Sequence, residues 1–91
     1  MIKPLFTLGQ IVSTPGAIDF MEAHNVQPMD LLKRHLTGDW GDLDAGDKAE
    51  NEHAVKWGDR IFSSYKFNSG KVWVITEADR SATTFLLPDE Y

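Results

Sequence analysis

Near residue 60 the hydrophobic pattern of this chain changes its period from that of a helix to that of a strand. Ile61, Ser63, Tyr65 and Phe67 alternate with Phe62, Ser64 and Lys66, a period of 2. Asn68-Ser69-Gly70 then reads as a hairpin turn into the strand Val72-Trp73-Val74-Ile75-Thr76. A loop over 77–81 leads to a further strand, Thr83-Thr84-Phe85-Leu86-Leu87, which Pro88 ends. Before residue 60 the punctuation is helical. Thr14-Pro15 is a hydroxyl N-cap followed by Pro at the first helical position, and Ala17, Ile18 and Met21 share the face behind it. This helix is expected to fray near His24-Asn25. Pro28 opens a second helix with Met29, Leu32 and Leu36 at helical spacing, and Gly38 stops it. A third helix runs from an Asp44 N-cap to Gly58, with Asn51, Ala54 and Val55 inward and Trp57 a further candidate for that stripe. Glu52 and Lys56 stand at i, i+4 in the favourable order.

Helices first and a meander last predict an α+β fold. Three antiparallel strands, four if Leu8–Val12 joins them, carry two to three helices on one face. Either Trp73 and Ile75 or Val72 and Val74 face those helices, packing on Ile18/Met21 and Leu32/Leu36. At 91 residues, residues 1–91 make a single domain. With 42% hydrophobic and 11% aromatic residues the composition is that of a folded chain, able to bury one modest core. The absence of cysteine excludes disulfides, thiolate metal sites and cysteine nucleophiles, and fits a reducing, cytoplasmic setting. No apolar run reaches the length of a membrane span, and the first ten residues do not read as a signal peptide.

Charge is distributed unevenly. Asp39, Asp42, Asp44, Asp47, Glu50, Glu52 and Asp59 face only Lys48 and Lys56 within their stretch, which therefore carries the whole net charge of −5. Such a chain has no general attraction for phosphate, so direct nucleic-acid binding is not expected. A basic protein surface is the expected partner, unless the acids only solvate an exposed helix.

Chemical motifs are sparse. There is no phosphate-binding glycine loop and no metal-binding HExxH helix, and Ser63 and Ser64 lack the glycines of a nucleophile elbow. No catalytic residue, metal ligand or cofactor is assigned. The densest segment is His35-Leu36-Thr37-Gly38-Asp39-Trp40-Gly41-Asp42. One reading makes it structural: Asp39 and Asp42 cap the flanking helices, Trp40 plugs the core edge, and His35 bonds a carbonyl. A second makes it an interaction surface with an exposed Trp40, and a third a divalent-cation or acid/base site. In Thr76-Glu77-Ala78-Asp79-Arg80-Ser81, Arg80 either joins a local ion pair or forks onto a carboxylate or phosphate. Asn51, an amide on a buried stripe, needs partners and is expected to tie its helix to a neighbouring loop. His24 and His53 read as surface residues.

The run Trp73-Val74-Ile75-Thr76-Glu77-Ala78-Asp79-Arg80-Ser81-Ala82-Thr83-Thr84-Phe85-Leu86-Leu87-Pro88-Asp89-Glu90-Tyr91 resembles a family of small bacterial proteins carried on plasmids and other mobile elements. Thr14-Pro15-Gly16-Ala17 and His35…Gly38-Asp39-Trp40-Gly41-Asp42 share the likeness. The family brings no settled activity. Its context implies an inhibitor of a host defence complex, of anti-CRISPR or anti-restriction type.

The expected function is accordingly a non-enzymatic inhibitor or adaptor. Its partner-binding residues would be Trp40, Asp42, Asp44, Asp47, Glu50 and Glu52, and its partner a basic surface such as a host nucleic-acid-binding complex. A 14-residue helix spans about 21 Å, so its acids and those of the loop before it fall roughly one per 3 Å. That is nearer the spacing of a single strand, about 3.4 Å per charge, than that of a duplex, about 1.7 Å. The alternative is a small ligand-binding or divalent-metal enzyme using His35, Asp39, Asp42 and Arg80, with Asn51 a further ligand candidate. A toxin–antitoxin or transcriptional accessory module is a third class. The sequence leaves the oligomeric state open.

Overall fold

The computed structural model describes residues 3–91 and shows an α+β fold. Strand β1 (Gln10–Ser13) is followed by helices α1 (Pro15–Ala23), α2 (Pro28–Leu36) and α3 (Ala45–Trp57). Strands β2 (Ile61–Phe67), β3 (Gly70–Thr76) and β4 (Ala82–Leu86) come next, then a 3₁₀ turn at Pro88–Glu90. The expected helix signals work as read. Thr14 Oγ1 accepts from the Ala17 N–H with Pro15 behind it, and Asp44 Oδ1 accepts from the Asp47 N–H at 2.8 Å. Gly58, at φ 83°, closes α3 in the left-handed conformation.

The sheet order is β1-β4-β3-β2, and it is mixed rather than purely antiparallel. β2, β3 and β4 form the expected meander, with Phe67 opposite Gly70 across a two-residue turn. β1 runs parallel to β4, pairing Gln10 with Ala82 and Ser13 with Phe85. Three helices and the β2–β3 hairpin separate β1 from β4, a connection long enough for the crossover that parallel pairing needs. Local sequence carries no information on the direction of pairing.

Register decides which side of β3 is inward. Val72 and Val74 are fully buried with Tyr65, Phe85, Ala17, Met21, Leu31 and Leu32 in the main core. Trp73 and Ile75 point to the opposite face, where Trp73 meets Phe62 and Tyr91 edge-on, with ring centroids 4.8 and 5.7 Å apart. A smaller core joins Trp40, Ala54 and Ile61 to Phe6, Leu43 and Val55. Four residues of the expected inward stripes depart from them. Ile18 and Met29 are exposed and Leu36 is half-buried, while His35 takes the buried position beside Leu31 and Leu32 on α2. Trp57 is 65% exposed. α3 buries only Asn51 and Ala54, a seam too narrow to cover a tryptophan at its last turn.

The β2 edge is covered. Ser64 donates its N–H to the Trp40 carbonyl at 3.1 Å, and the Asp42 N–H donates to the Ser64 carbonyl at 2.6 Å. Gly41 bridges to Ser64 at the centre of this contact, at φ 76°. A Cβ there would collide with the Ser64 carbonyl and the Tyr65 ring, so no other residue fits.

Candidate functional site

The segment 40–42 is pinned as a short extension of the sheet, and this turns Trp40 inward, as in the reading that has Trp40 plug the core edge and not in the one that exposes it. Trp40 is 3% exposed, and its Nε1–H donates to Glu52 Oε2 at 2.8 Å. The expectation that Trp40 anchors a partner from the surface is therefore corrected, because the indole is used up inside the fold. Glu52 serves the same contact and makes no ion pair with Lys56. Lys56 instead places its ammonium 5.5 Å from the Trp57 ring centroid.

Neighbouring acids are also engaged, though not as helix caps of the kind expected for Asp39 and Asp42. Asp39 pairs with Arg34, with Oδ2 2.7 Å from Nε, and accepts from the Gly41 N–H. The Arg34 guanidinium holds the Asp39 carboxyl below its ordinary range. Asp42 Oδ2 accepts from the Lys66 N–H at 2.9 Å, and Asp44 caps α3. All the same, every acid from Asp39 to Asp59 is exposed. Asp47 and Glu50 make no side-chain hydrogen bond or ion pair among the described residues.

His35 is the centre of a buried polar chain. Its Nδ1 lies 2.6 Å from Ser63 Oγ and its Nε2 2.9 Å from Thr76 Oγ1. Thr76 Oγ1 is 2.7 Å from Thr83 Oγ1, which donates to the Leu8 carbonyl at 2.8 Å. The carbonyl at the end accepts only, and this sets the donors upstream as far as His35. Thr83 gives its one proton to Leu8, so Thr76 must donate to Thr83. Nε2–H of His35 must then donate to Thr76. Burial depresses the His35 pKa to about 3, so the ring is neutral and its second nitrogen, Nδ1, accepts from the Ser63 hydroxyl. It bonds hydroxyls, not the expected carbonyl, and its ring lies edge-on to Phe6 and Trp40. A serine beside a histidine is the pairing of a nucleophile and its base. Here both are fully buried and no substrate carbonyl can reach Ser63 Oγ. The chain is a structural polar layer.

Arg80 is also committed. At φ 60° it turns its guanidinium onto the carbonyls of Asp59, Glu77, Ala78 and Ala54, at 2.7 to 3.2 Å. It does not join the expected local ion pair, since Glu77 pairs with Arg60 and Asp79 accepts from the Ser81 N–H. With Ala54 among its acceptors, Arg80 puts a positive charge at the C-terminal end of α3. Asn51 has a partner at each polar atom: Nδ2 donates to the Phe62 carbonyl at 2.6 Å and Oδ1 accepts from the Phe62 N–H at 3.0 Å. Its partner is a strand and not the expected loop, so α3 is clamped to β2 by one amide. His53 is exposed as expected; His24 is half-buried between Phe20 and Ser69.

His35, Asp39, Asp42 and Arg80 each have a different partner and do not converge on one open cleft. Among the described residues, no group of three or more His, Asp or Glu is placed to hold a metal ion. No helix is long and apolar enough to cross a membrane among the same residues. What remains open is one side of α3. Glu50, His53 and Trp57 follow at i, i+3 and i+7 along one stripe, with Asp47 a turn earlier and Asp59 Oδ2 3.7 Å from His53 Nδ1. The exposed Trp57 was not foreseen as a surface residue. The signal that could have found it is the weak apolar character of α3, since a helix with so few large apolar residues has no stripe to extend to its end. In comparisons with known proteins, no family model, curated protein or solved structure matches this chain.

Proposed function

We propose that this chain is a non-enzymatic interaction protein that docks a basic protein surface on the exposed side of α3, with Trp57 as its aromatic anchor. The observation that carries the reading is the exposure of Trp57 on the same stripe as Glu50, beside acids that have no partner. An exposed tryptophan can supply most of an interface's short-range energy, while rim charges set the association rate. Asp39, Asp42, Asp44 and Glu52 are tied into the fold, so the freely presented charges are too few and too widely spaced to imitate a nucleic-acid backbone. The resemblance to mobile-element proteins supports a partner in a host defence nuclease complex, bound as protein and not through DNA mimicry.

The test is capture from bacterial lysate at low salt with wild type, D47N/E50Q and W57A, followed by binding kinetics on the captured protein. D47N/E50Q is expected to slow association and flatten its salt dependence, while W57A speeds dissociation. Capture and kinetics that neither variant changes refute docking through α3.

A further inference from the structure

The two edges of the sheet are treated differently. The segment 40–42 covers β2, whereas among the described residues nothing pairs with the outer edge of β1, the side away from β4. Gln10 and Thr14 donate their N–H groups to the β4-side carbonyls of Ser81 and Phe85, both at 3.0 Å. Strand alternation then turns the N–H and C=O groups of Ile11 and Ser13 to the open edge. Their strand is short, four residues, but it carries no lysine, inward charge or proline to guard against edge pairing. Beside it lies a groove of about 510 Å³ whose wall includes Ile11, Ile18, Met21, Val26 and Phe85, with Glu22 at its rim. Ile11, Val12 and Ile18 are 43%, 38% and 44% exposed.

We propose that β1 pairs antiparallel with β1 of a second copy of this chain, joining the two four-stranded sheets into one across a two-fold axis. Charge selects this occupant. The chain carries −5, so two copies repel over most approaches, yet Pro4 through Ile18 contains no ionisable side chain at all. Within the paired strands no like charges meet, and the nearest carboxylates, Glu22 along the groove and Glu90 accepting from Thr14 Oγ1, lie beside the strands and not between them.

Register follows from the hydrogen-bond pattern. The outward groups of Ile11 pair with those of the second copy's Ser13, and the reverse pairing follows by symmetry, giving four backbone hydrogen bonds. Val12 then sits on the axis opposite its own counterpart, in a non-hydrogen-bonded pair whose side chains are closest. Ile11 shares its face with Thr83, the helix-covered side, so the second copy's Ile11 enters the groove.

Crosslinking tests this register directly, since the chain has no cysteine. Oxidised V12C is expected to form a disulfide dimer, because a residue on the axis meets itself. Q10C is expected to stay monomeric, because its place falls opposite Thr14 of the second copy. Equal crosslinking of V12C and Q10C, or none of V12C, overturns the proposal. Sedimentation of wild type is expected to show concentration-dependent dimers that high salt does not weaken. V12K, which opposes two ammonium groups on the axis, is expected to weaken them at least about tenfold, with N68K at the β2–β3 turn as an unaffected control. A wild-type chain that is monomeric at every concentration overturns self-pairing and leaves the edge to an extended segment of another protein. If V12K fails to fold, the crosslinking pair decides alone.

Discussion

The two polar regions of this molecule, the His35 layer and α3, are built on opposite terms. In the layer, Ser63, His35, Thr76 and Thr83 are fully buried, and each proton has one place to go. On α3, Asp47 and Glu50 face water with no partner, and Asn51 and Ala54 alone are buried. Buried polar groups are costly when unpaired, so the first arrangement enforces one geometry and tolerates no vacancy. Exposed carboxylates lose little by lacking a partner, so the second remains available to bind something else. Polarity in this sequence therefore means structure in one place and opportunity in the other. Burial makes the difference.

Truncating the inner region tests that contrast most severely. W40A removes a buried indole from the smaller core and strips Glu52 of its donor, and it is expected to cost about 3–5 kcal/mol in denaturant unfolding. W57A is expected to change stability by less than about 0.5 kcal/mol. Equal costs for the two tryptophans would erase the distinction between a buried and a presented indole.

H35A is next, at about 2–4 kcal/mol, because it opens a cavity and takes from Ser63 its imidazole acceptor and from Thr76 its imidazole donor. The pH dependence has a definite sign. The folded pKa of His35 lies near 3, below the ordinary 6.5, so the unfolded chain binds the extra proton first. The stabilisation is complete above about pH 6.5 and is lost as pH falls toward 3, by up to about 1.4 kcal/mol per pH unit. Urea melts at pH 7 and 5 should show wild type losing stability that H35Q does not lose. Parallel losses in the two proteins would remove His35 from the account. Protonation of the Asp39 carboxylate, whose pKa is held low by Arg34, adds its smaller effect only at the acidic end of that range.

The smallest effects belong to α3. N51A is expected to cost about 1–3 kcal/mol by freeing both polar groups of Phe62 from their clamp. D47N/E50Q is expected to leave thermal unfolding within about 0.5 kcal/mol of wild type. A double variant as damaging as N51A would show that these acids hold the fold together and are not free to serve a partner.

Much of this was legible in the residues. Thr14-Pro15, Pro28, Asp44 and Gly58 bound the three helices because caps, ring constraints and positive φ act within one turn of chain. The alternation over 61–76 and its turn set the hairpin for the same reason: its partners are close in sequence. The concentration of acids over 39–59 was legible in the order of residues. What could not be read locally is every contact between distant segments. The parallel pairing of β1 with β4 was decided by where the helices carry the chain. The inward turn of Trp40 depends on Ser64, and the exposure of Trp57 on how little of α3 the sheet reaches. His35 acquired its role only when folding brought Ser63, Thr76 and Thr83 around it, since a histidine's charge and tautomer are properties of its surroundings. Sequence determines what a residue can do within a turn of itself, and tertiary structure decides which of its polar groups are taken out of water.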